Sequence, residues 1–366
     1  MKQMIKLLIL FMSLFTLFTC GNKMEDYKTK KVKYNAEVSA ADGYDCYILS
    51  DSYLGGAIIP TLPVSSTWGG ASAVWVVGDE KHIAPDAIDI RYYSLVDNKF
   101  YVANHPLDQQ ELYRLLTTEY KDVDGRVLSY YSFTVSVAPC GLVNVWIDGS
   151  AGSLEICQFR AQETELDFAR EYRMIAGIEV TREENLADRK YLYPFIQKEI
   201  AEKRTSSEYW EHLSRKYKWK LEINDPGFEV YDYSIDLINV ERRYEASNGN
   251  WLTELNEKAI PSELNVYIKH DRDPVRYEVC LEVVKPWDTK DPDEEKKVLA
   301  EMNRNRELMD IFEKFYVEAG SEEVSLLIEL NDSMTSAKLK LKTATKEKEI
   351  EGCILRGIFD SEHYNL

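Results

Sequence analysis

The sequence predicts an α+β fold, mostly antiparallel β-sheet with several helices, arranged as two packed units. Three observations carry this. In the first half, short runs rich in Val, Ile, Tyr and Phe alternate with polar residues between Gly, Asp and Asn, the pattern of half-buried strands. Helix-start signals gather instead near residues 108, 184–208 and 291. After the middle cluster the chain returns to strand character, so two sheet-rich stretches flank a helical one. The expected division is an N-terminal β-rich unit over residues 37–184, a helical bridge over 185–218 and a C-terminal α+β unit over 219–366.

Each element follows from local chemistry. Ser72 to Val77 is apolar and β-branched after the flexible Trp68-Gly69-Gly70. Ala87 to Leu95 and Lys99 to Val102 alternate around Asp97-Asn98, as a hairpin should. Asp108-Gln109-Gln110-Glu111 is a capping box, with Leu107 and Leu112 spaced as a hydrophobic staple, so a helix should run to about Tyr120. Val127 to Val137 and Leu142 to Ile147 are long strands bent at Ala138-Pro139-Cys140-Gly141. The turn from Asp148 to Gly152 returns the chain into Leu154 to Phe159.

Glu184 to Lys203 is helical in composition and interrupted at Pro194, and Thr205-Ser206-Ser207-Glu208 reads as a second capping box. Beyond it Tyr209, Trp210, Leu213 and Tyr217 form one apolar helix face. Strands resume at Trp219, Phe228 to Leu237 and Leu264 to Lys285. Asp291 as N-cap, Pro292 at the first turn and Glu294 at the third position open the longest helix, which carries Val298, Met302, Met309, Phe312 and Tyr316 and stops at Gly320. Val324 to Leu330, Ser336 to Leu341 and Gly352 to Phe359 close the pattern.

The N-terminus says where the chain is sent. Lys2 and Lys6 precede an uncharged run of twelve residues, Leu7 to Phe18. A membrane span needs about 20, so residues 1–19 read as a secretory signal. Leu17-Phe18-Thr19-Cys20, followed by Gly21, has the form of a bacterial lipobox, with Cys20 as the lipid-attachment residue. Several acyl chains on one cysteine would hold the protein on a membrane where one chain holds it marginally. The alternative is an ordinary signal peptide with a chance cysteine. Residues 20–36 then form a tether, in which Lys23 followed by Glu25 and Asp26 resembles the surface-export signal of Bacteroides-group lipoproteins. The expected location is the cell envelope, anchored to the outer membrane on either its periplasmic face or the cell surface.

Composition narrows the partners. The formal charge of −18 becomes −20 once Lys2 and Lys6 leave with the signal. That argues against nucleic acid and against a folded part lying on anionic lipid, both of which need basic surface. Five cysteines remain besides Cys20: Cys46, Cys140, Cys157, Cys280 and Cys353. An exported chain permits disulfides, and Cys140 with Cys157, across a hairpin, is the nearest pair; free buried thiols are the other reading.

Several of these stretches match a known pattern. Pro85 to Tyr101, PDAIDIRYYSLVDNKFY, resembles a segment of a bacterial lipoprotein family catalogued as domain of unknown function 2931. Leu107 at a helix start, Ala138-Pro139 before a Gly, Val143 to Gly149 (VNVWIDG) and Trp210 to Trp219 (WEHLSRKYKW) also resemble that family's pieces. Cys140 departs from the Gly the family tends to carry. The resemblance covers roughly Gly55 to Leu237 and implies lipoprotein status and an envelope location. Some of the family's genes neighbour antibacterial effectors, so it also admits an immunity role.

Reactive constellations are sparse. His82, His105, His212, His270 and His363 show no metal-ligand spacing, and His270-Asp271-Arg272-Asp273-Pro274 reads as a turn. Gly149-Ser150-Ala151-Gly152 fits a hairpin turn rather than a nucleophile elbow, and Asp122-Val123-Asp124-Gly125 lacks the later ligands of a calcium loop. No catalytic, metal or cofactor residue is assigned, and no cofactor is expected. Among the many aromatics, Trp68 beside two glycines is expected to be exposed, and one of the adjacent Tyr92 and Tyr93 should face out. These three are the expected contacts with a ligand or partner. The leading expectation is a non-enzymatic, lipid-anchored module that binds a protein. Glycan binding is the alternative, and an envelope hydrolase a third. An open aromatic groove would favour glycan, and carboxylates of raised pKa in a deep pocket would favour hydrolysis.

Overall fold

The computed structural model describes residues 26–65, 68–70, 73–74, 81–270, 273–284 and 293–360. The apolar N-terminal run, Cys20 and Asp291-Pro292 lie outside the described residues. So does most of Ser72 to Val77, of which the strand Ala73–Val74 is described. Among the described residues no helix is long and apolar enough to cross a membrane.

The fold is α+β. A ten-stranded sheet runs in the order Ile354–Asp360, Asp273–Glu282, Pro261–His270, Phe228–Leu237, Arg242–Tyr244, Gly152–Arg160, Leu142–Gly149, Tyr130–Val137, Asn35–Ala40, Ala73–Val74. Its neighbours are antiparallel except for Tyr130–Val137 beside Asn35–Ala40. A seven-stranded sheet is built on the hairpin Ala87–Ser94 with Lys99–Pro106, whose turn places Asn98 at a φ of 58°. A five-stranded sheet centres on Val324–Leu330, parallel to Tyr217–Ile223.

Two cores result. One lies between the first-half strands of the ten-stranded sheet and the seven-stranded sheet, where Val38, Phe133, Val135 and Val145 meet Ile88, Ile90 and Tyr92. The other runs from Trp146 and Leu142 through Trp210 and Trp219 to Leu264, Phe312, Leu326 and Leu341. It therefore crosses the bridge, and the C-terminal strands continue the sheet that the N-terminal ones begin. The link is a short antiparallel pairing of Gly152 and Ser153 with Arg243 and Arg242.

Helix signals are mostly where the sequence puts them. Asp108 caps Gln109–Thr117 by accepting from the Glu111 amide at 3.1 Å, while Glu111 turns to Arg114 instead of closing the box. The Thr205–Glu208 box does not form. Ser207 is the N-cap residue of Glu208–Leu213, but its hydroxyl is held by Arg160 and Glu211 rather than by the helix amides. The longest helix, Glu294–Ala319, starts with Asp293 as its cap, two residues after the expected Asp291, and ends at Gly320. The expected tether ends early: Asp26–Thr29 is a short helix, and Asn35–Ala40 is already a sheet strand with Tyr34, Ala36 and Val38 buried. Alternate apolar side chains at 34, 36 and 38 draw it into the core.

Candidate functional site

The three expected contact residues are all inside. Trp68 is 6% exposed, against the expectation, and stands edge-on to Trp146 at 5.4 Å with Trp210 at 6.1 Å. The glycine after it explains the burial. Gly69 has a φ of 71° and donates its amide to Ser136 Oγ at 3.1 Å, and a Cβ there would sit 2.8 Å from Val240. The Trp-Gly pair is thus a close-packed insertion, not a flexible display. Tyr92 and Tyr93 are 0% and 1% exposed. They do point to opposite faces, but both faces are covered: Tyr92 stacks on Tyr101 at 5.1 Å, and Tyr93 meets Phe168 of the helix Phe168–Ala176 at 5.0 Å. Neither offers a surface.

The five described cysteines are free. Cys157 lies opposite Val145 within the sheet, whereas Cys140 sits in the bend with its thiol toward the Thr205 carbonyl, so the expected pair is not made. Asp122 to Gly125 is a turn closed on itself: Asp122 accepts from the Asp124 and Arg126 amides at 3.0 and 2.8 Å and from Arg126 Nε at 2.8 Å. His270 ends the strand Pro261–His270 and pairs with Asp273 where the antiparallel strand Asp273–Glu282 begins, packed on Phe228 at 4.9 Å. Among the described residues no three His, Cys, Asp or Glu side chains gather as a metal set.

A concavity lies elsewhere, on the outer face of the C-terminal strands. This groove of about 750 Å³ is walled by the Asp122–Leu128 hairpin and floored by Phe228–Leu237, Pro261–His270 and Asp273–Glu282. A β-bulge positions its central ring. The pairing of Phe228–Leu237 with Pro261–His270 shifts between Val230 and Asp232, so Tyr231 is the extra residue. A bulge re-aims its side chain. Tyr231 lies 6.3 Å from Tyr267, with the Arg276 guanidinium at 5.3 Å and the Lys269 ammonium at 5.9 Å over its ring. Tyr267 donates to Glu278 at 3.0 Å, its cross-strand partner. Burial pushes the Asp232 carboxyl up from its ordinary range. Arg126, Tyr244 and Phe359, the last 38% exposed on the sheet's edge strand, complete the rim.

Sequence reasoning reached the strands that carry these side chains and missed the groove. Alternation assigns Tyr231 and Tyr233 to one face; the bulge sends Tyr231 to the groove and leaves Tyr233 in the core, and neither the bulge nor the approach of a hairpin a hundred residues earlier leaves a local signal.

Below the sheet link sits a buried polar cluster. Glu155 accepts from Asn144 and Asn239 at 2.6 and 2.9 Å and from Ser214, and its amide donates to Glu241 at 3.2 Å. Glu241 also holds Lys216 at 3.4 Å and Arg243 at 3.1 Å. Burial raises the Glu155 pKa. The cluster ties Ser214 and Lys216 of the WEHLSRKYKW stretch to the sheet, which is positioning and not chemistry.

Comparison with curated proteins and with solved structures gives no match. A family model described as "Protein of unknown function (DUF2931)" matches residues 21–205. The match stops before Trp210 to Trp219, so that stretch is no part of the matched span. It covers the first-half sheets and most of the bridge, half of the chain, and the chain therefore belongs to the DUF2931 family.

Proposed function

We propose that this protein is a lipid-anchored envelope module, non-enzymatic, that binds a protein partner in the groove around Tyr231. The anchor reading rests on the apolar run that ends at Cys20. The binding reading rests on one observation: a concavity that combines half-buried tyrosines with Arg126 and Arg276 and with Asp122, Asp124, Asp232 and Glu278. Tyr and Arg dominate the energetics of protein interfaces. Charges of both signs in one groove suit a polypeptide segment with its own mixed charges, and the adjacent edge strand Ile354–Asp360 suits an added strand.

A glycan reading has a specific basis in the same tyrosines. It is disfavoured because Arg276 and Lys269 already lie over the Tyr231 ring, where a sugar would stack. An immunity role is one form of the protein-binding reading.

The test uses full-length protein purified in detergent from its host, immobilised and exposed to host envelope and secreted proteins. A stoichiometric protein that Tyr231→Ala and Arg276→Ala each release by tenfold or more supports the reading. Retention by both variants, or capture of polysaccharide alone, rejects it. Acyl labelling of the wild type that persists in Cys20→Ala rejects the anchor.

A further inference from the structure

A second concavity, separate from the groove, lies between the first turns of the long helix and the Trp68–Trp210 side of the core. It holds about 290 Å³, room for roughly ten non-hydrogen atoms at about 30 Å³ each, the share of a water molecule. Its aromatic walls are Trp68, Trp210, Tyr193 and Tyr209.

Two of its lining residues each carry a polar atom with no hydrogen-bond partner, although both residues are almost fully buried. The atoms are Trp68 Nε1, a donor, and Asn305 Oδ1, an acceptor, on residues 6% and 3% exposed. The amide nitrogen of Asn305 is engaged, donating to Tyr209 Oη at 2.9 Å. Buried polar atoms are nearly always paired, so two unpaired ones on residues that line the same cavity point to what fits there.

The charge is equally specific. Among the described residues that line the cavity, Asp42, Glu294 and Glu301 stand with one cation, Lys297, whose ammonium is paired with Glu294 at 2.8 Å. Burial, and then the neighbouring Asp42 charge, pushes Glu301 up to about 7. A cation entering here would meet both carboxyl groups and the ring faces, which attract cations in their own right.

We propose that this cavity binds a small hydroxylated amine of amino-sugar size, its ammonium directed to Glu301, Asp42 and Asn305 Oδ1 and an oxygen accepting from Trp68 Nε1. Binding, not hydrolysis, is the assigned role.

The test is tryptophan fluorescence and calorimetry on the full-length protein with glucosamine, and with glucose as its neutral counterpart. Saturable glucosamine binding, at least tenfold weaker for glucose, is the expected result. Glu301→Gln keeps the shape and should weaken glucosamine tenfold or more. Trp68→Phe keeps most of the ring packing and should cost several-fold through the lost N–H. Arg276→Ala, in the separate groove, should leave binding unchanged, so failure here and failure of the groove reading are distinguishable. Equal binding of glucose overturns the proposal. So does no binding up to about 10 mM glucosamine, where a millimolar site is already filled. Unaltered affinity in a Glu301→Gln protein with a normal melting transition overturns it as well.

Discussion

At the scale of single residues, the structure repeatedly places side chains where burial conflicts with their chemistry, and each conflict can be measured. Glu301 titrates near 4.5 in an unfolded chain and about 7 in the fold. Between those values the folded state keeps a proton that the unfolded state has lost, so stability falls as pH rises through this window. The drop is on the order of 3–4 kcal/mol at about 1.4 kcal/mol per unit. Asp45, pushed by burial from 3.8 to about 6, adds in the same direction over its own window. Lys258 runs the other way. Burial lowers it from 10.5 to about 7, so stability regained above neutrality reflects its discharge. Thermal melts at pH 5, 7 and 9 should therefore show the lowest midpoint near 7, and Glu301→Gln should flatten the limb between 5 and 7. A melting temperature that rises steadily from pH 5 to 7 in the wild type contradicts the assignment. Trp68 carries a second prediction. Trp68→Ala removes a buried ring wedged against Trp146 and should cost about 3–5 kcal/mol in urea unfolding. A cost below about 1 kcal/mol would mean that the ring is not packed as described. The sequence shows an aromatic beside two glycines, and exposure is the natural reading. The contrary fact, that Gly69 exists to let backbone approach Val240, is a contact across 171 positions that no window contains.

At the scale of elements, what was legible had a local cause. The strand Phe228–Leu237 and the strand Val324–Leu330 fall on the expected residues because alternation and turn signals bound them. The helix Gln109–Thr117 begins where Asp108 can cap it. At the Thr205–Glu208 stretch tertiary contacts decided: Arg160 and Glu211 take the Ser207 hydroxyl, and the Glu208 amide turns to Ser206 Oγ at 3.1 Å. The two serine- and aspartate-based caps therefore differ in a testable way. Asp108→Ala should destabilise by about 1 kcal/mol through the lost N-cap, measured by the shift in urea midpoint at unchanged slope. Ser207→Ala should instead act through Arg160 and Glu211, so its effect should shrink in an Arg160→Ala background while that of Asp108→Ala persists. Equal effects in both backgrounds would show that Ser207 caps after all. The groove was illegible for the same physical reason in reverse. Its central tyrosine is aimed by a bulge, and a bulge depends on the partner strand, not on the residues that contain it.

At the scale of the whole molecule, two sheet-rich stretches with a helical bridge suggest two packed units, and the structure joins them through one sheet. One sheet passes from the first half to the second through the pairing of Gly152 and Ser153 with Arg243 and Arg242, and one core spans both. That pairing is too short to couple the halves alone. Beneath it Glu241, almost fully buried, holds Lys216 from the bridge, Arg243 from the C-terminal strands and the Glu155 amide from the N-terminal ones. A buried carboxylate shared by two cations is costly to desolvate and costlier to remove, because its loss leaves both cations without their partner. The expectation is a single cooperative urea transition, coincident by tryptophan fluorescence and far-ultraviolet circular dichroism. Glu241→Ala should lower its stability by about 3–5 kcal/mol, and Glu241→Gln by less, since the amide oxygen still accepts. If the halves were autonomous, the wild type would unfold in two steps and Glu241→Ala would shift neither midpoint. If the cluster is the coupling, Glu241→Ala should instead separate the two probes' transitions, because weakening the junction costs cooperativity before it costs either core.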